Sequence, residues 1–168
     1  MKIAVIGGVS STETLIHALL KHRIEQIAVW GYEPSTNSLV SGWRDMRSLA
    51  KSRNLPFYGF QKISECMKSL NAFAPDILFV VGLSQILPPW MVDMASQANI
   101  GFHPTALPRG RGRAAIAWLI LHQENGAATF FELRNGVDDG PIIEQEPFDV
   151  TDKDDAKLVE AKLLNAER

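Results

Sequence analysis

The sequence contains a single cysteine, Cys66, among its 168 residues. One cysteine cannot form an internal disulfide or a cysteine-based zinc cluster, and the absence of disulfides is typical of a reducing compartment. We therefore expect a cytoplasmic protein. No apolar stretch reaches the roughly 18 uninterrupted residues of a transmembrane helix, so we expect no contact with a membrane.

The chain also has no large excess of positive or negative charge, because 17 Lys and Arg residues against 19 Asp and Glu give a formal net charge of −2. A chain without a broad basic field is not typical of a DNA-binding protein, so we expect no DNA partner. The 4 histidines are not grouped with acids or cysteines at metal-ligand spacing, and we expect no metal. Hydrophobic residues, by contrast, make up 46% of the chain, which is enough for the core of a single domain over residues 1–168.

Short apolar runs alternate with helical patterns along the chain. The β-branched run Ile3–Ile6 ends at two glycines, and residues 76–82 include five consecutive apolar side chains, as expected of strands buried on both faces. We predict strands at 3–6, 27–30, 55–58, 76–82, 100–103 and 127–133, and a further strand from Ile142. We predict helices after caps at 10–12, at 44–53, 64–73, 90–96 and 114–123, and from 152 onward, with a polar loop at 33–42.

This alternation predicts an α/β fold with a doubly wound, mainly parallel sheet and helices on both faces, as in Rossmann-like proteins. Ligands of such sheets bind outside the carboxyl ends of the strands. One candidate is therefore His103, since Pro104 ends its strand directly after it. The position alone is equally compatible with a structural histidine.

A second candidate is the loop Asn135–Ile143, which is bounded by glycines and contains the adjacent acids Asp138 and Asp139. Taken alone, this pattern favours a solvated turn, where Asp next to Gly is common.

Taken together, the two segments resemble the folate-dependent formyltransferase family, which includes the methionyl-tRNA, glycinamide ribonucleotide and sugar-nucleotide N-formyltransferases. The resemblance rests on Gly101-Phe102-His103-Pro104-Thr105, Leu107-Pro108, Arg111-Gly112, Val137-Asp138-Asp139-Gly140 and the segment from Val81 to Pro88. His103 and Asp138 are 35 residues apart, close to the interval usual in the family. The likeness is good over residues 75–160 and loose over the first 70.

The resemblance implies transfer of a formyl group from 10-formyltetrahydrofolate to a primary amine. It implies that His103 is the general acid and base and that Asp138 orients it. Histidine suits this task because its side chain titrates near neutral pH, so both protonation states are accessible. The folate-binding residues implied by the family are Gln85, Ile86, Leu87, Gly101, Asn135, Gly136 and Val137.

The sequence departs from the family pattern at Gly101, which stands where the family has a catalytic asparagine. That asparagine donates a hydrogen bond to the oxyanion, and loss of one such donor typically costs about 10²–10³ in rate. Asn99, two residues earlier, lies roughly 6.6 Å away along the strand, so Arg111, Arg113, Thr105 or a backbone N–H is the alternative donor. The Gly-Phe-His-Pro-Thr and Arg-Gly-Arg segments resemble a sub-group of sugar N-formyltransferases that also has glycine here.

The chain is also short at its C-terminus for a family member, and a domain of the tRNA-recognising type is not expected. The expected acceptor is therefore a small, phosphate-bearing amine, first of all a nucleotide-linked amino sugar. Glycinamide ribonucleotide, methionyl-tRNA, and a non-catalytic folate- or nucleotide-binding role remain alternatives. The candidate substrate-binding residues are Gly8, Ser10, Ser11, Thr105, Arg111 and Arg113. A sheet edge that ends early can be covered by a second subunit, so a homodimer is a candidate assembly.

Overall fold

The computed structural model describes residues 1–35 and 40–168, which form two compact units, Met1–Ile100 and Gly101–Arg168. The described residues contain seven strands: β1 (Lys2–Gly7), β2 (Gln26–Tyr32), β3 (Phe57–Phe60), β4 (Ile77–Val81), β5 (Ala98–His103), β6 (Gly126–Glu132) and β7 (Ile142–Phe148). They also contain five α-helices: α1 (Ser10–Lys21), α2 (Met46–Ser52), α3 (Met67–Phe73), α4 (Ala115–His122) and α5 (Ala156–Ala166). Single 3₁₀ turns occupy Ile63–Cys66 and Pro89–Met91.

The strands are hydrogen-bonded in the order β3-β2-β1-β4-β5-β6-β7. Strand β1 pairs in parallel with β2 and β4, and β2 pairs in parallel with β3, whereas β6 and β7 are antiparallel. The predicted α/β fold with a mainly parallel sheet is confirmed. The predicted helix at 90–96 is wrong, since only the 3₁₀ turn forms there. The centre of the predicted loop at 33–42 lies outside the described residues.

In the first unit, β1, β2 and β4 are buried or half-buried on both faces, which explains their continuous apolar runs, whereas β3 is partly exposed. Trp30 of β2 is fully buried and stacks on Tyr58 of β3 with 4.7 Å between ring centroids. Its indole N–H donates to the Ser69 hydroxyl at 2.8 Å, so the one polar atom of this large side chain is satisfied.

The second unit has its own core, formed where α4 and α5 pack on β6. Its buried members are Leu119, Ala128, Phe148, Val150, Val159 and Leu163. The loops that follow β5 and β6 in this unit contain the polar residues singled out by the sequence. None of the described helices is long and apolar enough to span a bilayer.

Candidate functional site

His103 is the last residue of β5, and its side chain is buried against the loop that follows. The ring Nε2 lies 2.8 Å from the carbonyl oxygen of Gly110. A carbonyl can only accept a hydrogen bond, so Nε2 carries the hydrogen and donates it. The other ring nitrogen, Nδ1, lies 3.5 Å from Oδ2 of Asp138. Both ends of the imidazole are therefore oriented by oxygen atoms of the second unit.

Asp138 is held in place by a hydrogen bond from the backbone, and its own backbone conformation is unusual. Its Oδ2 accepts a hydrogen bond of 2.8 Å from the Gly112 N–H, and its φ of 47° lies in the left-handed region. Asp and Asn tolerate this region better than most residues. The adjacent Asp139 is exposed and its carboxylate lies over Gly136. The structure thus brings Asp138, and not Asp139, to His103.

The loop from Pro104 to Gly112 supplies both main-chain contacts of this pair. Its Leu107–Pro108 peptide bond is cis. Gly110 and Gly112 both have positive φ, 66° and 97°, which glycine adopts without steric cost. The glycines allow the tight turn that aims the Gly110 carbonyl at the imidazole and the Gly112 N–H at the carboxylate.

Thr105 lies inside this loop and is buried. Its hydroxyl donates to the carbonyl of Arg109 at 2.8 Å, so in this arrangement it shapes the loop. Two buried or half-buried residues that the sequence did not single out, Thr129 of β6 and Gln145 of β7, hold the same loop from the sheet. In the sequence, Gln145 stands out as an uncharged residue between the exposed Glu144 and Glu146 of β7. This pattern does not reveal which residues Gln145 contacts.

Gly101 has no room for a side chain. A Cβ built on it would lie 2.6 Å from Cζ of Phe131 and 2.8 Å from Cδ2 of Leu133, closer than the roughly 3.5–4.0 Å of ordinary carbon contacts. Phe131 and Leu133 are themselves buried. The space that the family's asparagine would need is therefore occupied by apolar side chains.

Asn99 does not replace the hydrogen-bond donor that the family's asparagine provides. Its side-chain oxygen accepts from the Ala95 N–H at 2.9 Å and its amide donates to the Ala95 carbonyl at 3.3 Å. Both ends of the amide are used to close the turn before β5.

Three arginines lie in the loop beside His103, namely Arg109, Arg111 and Arg113. All three side chains are exposed and have no hydrogen-bond or ion-pair partner among the residues that the structure describes. Unpaired guanidinium groups bind phosphate and carboxylate well. The folate residues predicted in the loop before β7, Asn135, Gly136 and Val137, are likewise exposed.

In the first unit, the loop after β4 presents an almost fully exposed Ile86, with 89% of its surface accessible, next to the half-buried Leu87. The loop is anchored by Gln85, whose amide donates to the Gln61 carbonyl and accepts from the Ile63 N–H, both at 2.8 Å. An anchored loop with an exposed apolar side chain can receive a flat, partly apolar ring.

The turn from β1 into α1 contains the predicted substrate residues Gly8, Ser10 and Ser11. Both serines are buried, and the Ser10 hydroxyl has no hydrogen-bond partner within the described ranges. The Gly8 carbonyl accepts from the Arg44 N–H at 2.9 Å. A substrate contact of these residues remains a prediction.

Within residues 1–35 and 40–168, no three His, Cys, Asp or Glu side chains are close enough together to hold a metal ion.

In a mainly parallel α/β sheet, the buried His103 and the half-buried Asp138 lie at the carboxyl end of a strand, where such folds bind their ligands. The family model described as formyl transferase matches residues 1–168, and the chain belongs to this family.

Relatives in sequence include the methionyl-tRNA formyltransferase of Koribacter versatilis, which is 28% identical over 93% of this chain and 51% of its own length. The enzyme of the same name from a Wolbachia species is 30% identical, over 97% of this chain and 56% of its own length. The chain thus spans about half the length of the curated relatives that it matches.

Similar solved structures include a phosphoribosylglycinamide formyltransferase from Bacillus halodurans, with a TM-score of 0.82 and 18% identity over 99% of this chain and 89% of that one. Another is WlaRD, described as a sugar 3N-formyl transferase in the presence of dTDP and 5-N-formyl-THF, with a TM-score of 0.74 and 21% identity over 98% of this chain and 58% of that one. At this identity the structures show that the fold is shared.

Proposed function

We propose that this chain catalyses transfer of a formyl group from 10-formyltetrahydrofolate to a primary amine, with His103 as general acid and base and Asp138 orienting it. The observation that carries the proposal is the His103–Asp138 pair, with Nδ1 and Oδ2 3.5 Å apart, at the end of β5 in a chain of the formyl transferase family. When bound, 10-formyltetrahydrofolate supplies an activated formyl carbon.

The residues of this chain fit proton transfer. An attacking amine has to lose a proton, and because Nε2 of His103 donates to the Gly110 carbonyl, Nδ1 is the ring atom that can accept this proton and release it again. The Asp138 carboxylate near Nδ1 orients the ring, and the Gly112 N–H keeps this carboxylate in place. The burial of His103 limits competition from bulk water.

We propose folate-binding residues in each unit separately. In the first unit, Gln85, Ile86 and Leu87 would contact the pterin ring, which is supported by the exposed Ile86 on an anchored loop. In the second unit, Gly101, Asn135, Gly136 and Val137 would line the donor site. Gly101 contributes backbone groups alone.

For the acceptor, we infer a small amine that carries phosphate, and first of all a nucleotide-linked amino sugar. The three unpaired arginines beside His103 support an anionic acceptor, with Arg111 and Arg113 as phosphate ligands and Thr105 next to them. Glycinamide ribonucleotide, bound through Gly8, Ser10 and Ser11, and methionyl-tRNA are the alternatives, because relatives with each of these names are similarly close.

The test is a transfer assay that follows tetrahydrofolate release with each of the three acceptor classes. We expect release with an amino sugar nucleotide, and loss of about 10²-fold or more in rate for His103→Asn. A matched control is His122→Asn, which changes an exposed histidine of α4. Full transfer activity in His103→Asn would overturn the assigned role, and activity with another acceptor alone would overturn the choice of sugar.

A second candidate is a folate-binding protein without transferase activity. It is favoured by one observation, namely that Phe131 and Leu133 fill the space beside Gly101 where the family places its oxyanion donor. Tight binding of 5-formyltetrahydrofolate together with no transfer to any of the three acceptors would support this candidate. No binding at millimolar concentration would exclude both candidates.

A further inference from the structure

A line of polar side chains runs from the sheet of the second unit to the loop beside His103. Thr129 lies in the middle of β6 and is fully buried, and Gln145 is its direct partner across the antiparallel β6–β7 pair. Its neighbours Glu144 and Glu146 are exposed, so Gln145 faces the opposite side of the sheet. Burying a polar group costs free energy unless the group is hydrogen-bonded, so we expect Thr129 and Gln145 to have specific hydrogen-bond partners.

In each hydrogen bond of this line, the chemistry of the two groups decides which one donates and which one accepts. The amide nitrogen of Gln145 donates to the Leu107 carbonyl at 3.3 Å and to the Thr129 hydroxyl oxygen at 2.9 Å. The Thr129 hydroxyl then donates its own hydrogen to the Thr105 carbonyl at 2.7 Å. Since carbonyls can only accept, the orientation of each donor is fixed.

The line continues within the loop itself. The Thr105 hydroxyl donates to the Arg109 carbonyl at 2.8 Å and lies 3.4 Å from the Gly110 carbonyl, which is the oxygen that accepts from His103. Two residues later, the Gly112 N–H holds Asp138. The backbone of the loop makes few hydrogen bonds of its own, from Leu107 and Arg109. Its shape therefore depends on side chains of β6 and β7.

We propose that Thr129 and Gln145 are positioning residues, which act through the 104–112 loop to fix the orientation of the His103 imidazole. Neither touches a reacting group. Their hydrogen bonds set the places of the Gly110 carbonyl and the Gly112 N–H, and these in turn orient His103 and Asp138. This inference rests on the proposed function for its kinetic consequence, but its structural part stands without it.

The test compares Thr129→Val, which removes the hydroxyl at nearly constant shape, with Thr129→Ser, which keeps it. Gln145→Met removes the amide without adding charge, and Glu146→Gln is the matched control on the exposed face of β7. The first readout is the side-chain ¹H–¹⁵N spectrum of the 4 histidines, in which His103 is assigned by its loss in His103→Asn. We expect the chemical shifts of His103 to change in Thr129→Val and Gln145→Met. They should remain as in the wild type in Thr129→Ser and Glu146→Gln.

The second readout is transfer kinetics. A small misplacement of a catalytic group can cost about 10²-fold in rate, so we expect kcat to fall by about 10- to 100-fold with KM nearly unchanged. Because the two residues act in series, the double variant should lose no more than the worse single variant. Gln145 is half-buried at the sheet edge, so Gln145→Met serves if Thr129→Val does not fold.

Unshifted His103 signals in a folded Gln145→Met protein would overturn the inference. Additive losses in the double variant would also overturn it. A wild-type protein without transfer activity would refute the proposed function instead, and the spectra would then decide on the positioning role alone.

Discussion

Gly101→Ala is the most direct perturbation of the candidate site, because the structure fixes what the added methyl group would meet. The new Cβ would lie 2.6 Å from Cζ of Phe131 and 2.8 Å from Cδ2 of Leu133, about 1 Å closer than carbon atoms normally approach. Both neighbours belong to the buried core and have to move. Overpacking of this kind costs about 1–3 kcal/mol, and loss of glycine's freedom in the unfolded chain returns about 0.4–1 kcal/mol.

We therefore expect Gly101→Ala to lower the free energy of unfolding by about 1–2 kcal/mol. The measurement is urea denaturation followed by far-UV circular dichroism and tryptophan fluorescence. Phe131→Leu shortens the side chain that the methyl group meets, so the double variant should be more stable than the sum of the single variants predicts, by about 1 kcal/mol. A Gly101→Ala protein as stable as the wild type, or strictly additive effects, would refute the steric reasoning.

The same reasoning bears on the missing asparagine. Gly101→Asn restores the residue that the family uses, but its amide would have to enter the space of the Phe131 ring. A buried amide without a partner costs a further 1–3 kcal/mol or so. We therefore expect this variant to be less stable than Gly101→Ala and no faster in transfer than the wild type.

Three further predictions concern ionisable groups. Asp138→Asn should lower transfer by about 10²-fold or more, whereas Asp139→Asn should leave it nearly unchanged; equal losses in the two variants would contradict the assignment. Burial raises the pKa of the Cys66 thiol to about 12, so it should react with a thiol reagent at pH 8 far more slowly in the folded protein than in urea, and equal rates would be inconsistent with a buried thiol. A hydrogen bond from Lys162 holds the pKa of Asp154 below its usual value of about 3.9, so this carboxylate stabilises the fold above that pH and loses its effect as the pH falls. Asp154→Asn should thus weaken the dependence of unfolding on pH below about pH 4, and an unchanged acid limb would exclude this contribution.

Much of the fold could be predicted because burial on both faces of a parallel strand leaves a direct trace in the sequence. The runs that became β1 and β4 are continuous and apolar, and glycines follow both. The helix predicted at 90–96 failed where the local pattern was weakest. Pro88 and Pro89 favour a helical start, but the segment forms only the turn Pro89–Met91, and the Asn99 side chain of β5 then accepts a hydrogen bond from the Ala95 N–H just before the strand.

The position of His103 could also be predicted, since Pro104 limits the strand. The residues that surround His103 and Gly101 could not be predicted. The wall against Gly101 comes from Phe131 and Leu133, which lie thirty or so residues away along the chain, and their place depends on the register of β6 in the sheet. No local pattern encodes that register. Polar partners such as Gln145 are equally invisible, because a single glutamine on an edge strand is common on any protein surface.

The site also shows why ionisable residues alone are an incomplete description of such a pair. The orientation of the imidazole and of the carboxylate depends on one carbonyl and one N–H of the main chain, from Gly110 and Gly112. These atoms are present in every residue except proline, which lacks the N–H, so the residue that supplies them leaves almost no trace in the sequence. What the sequence does record is the conformation that they need, a positive φ at both positions, which only glycine adopts freely. Gly110 and Gly112, which alternate with the three arginines of residues 109–113, therefore constrain the site as much as the charged residues that flank them.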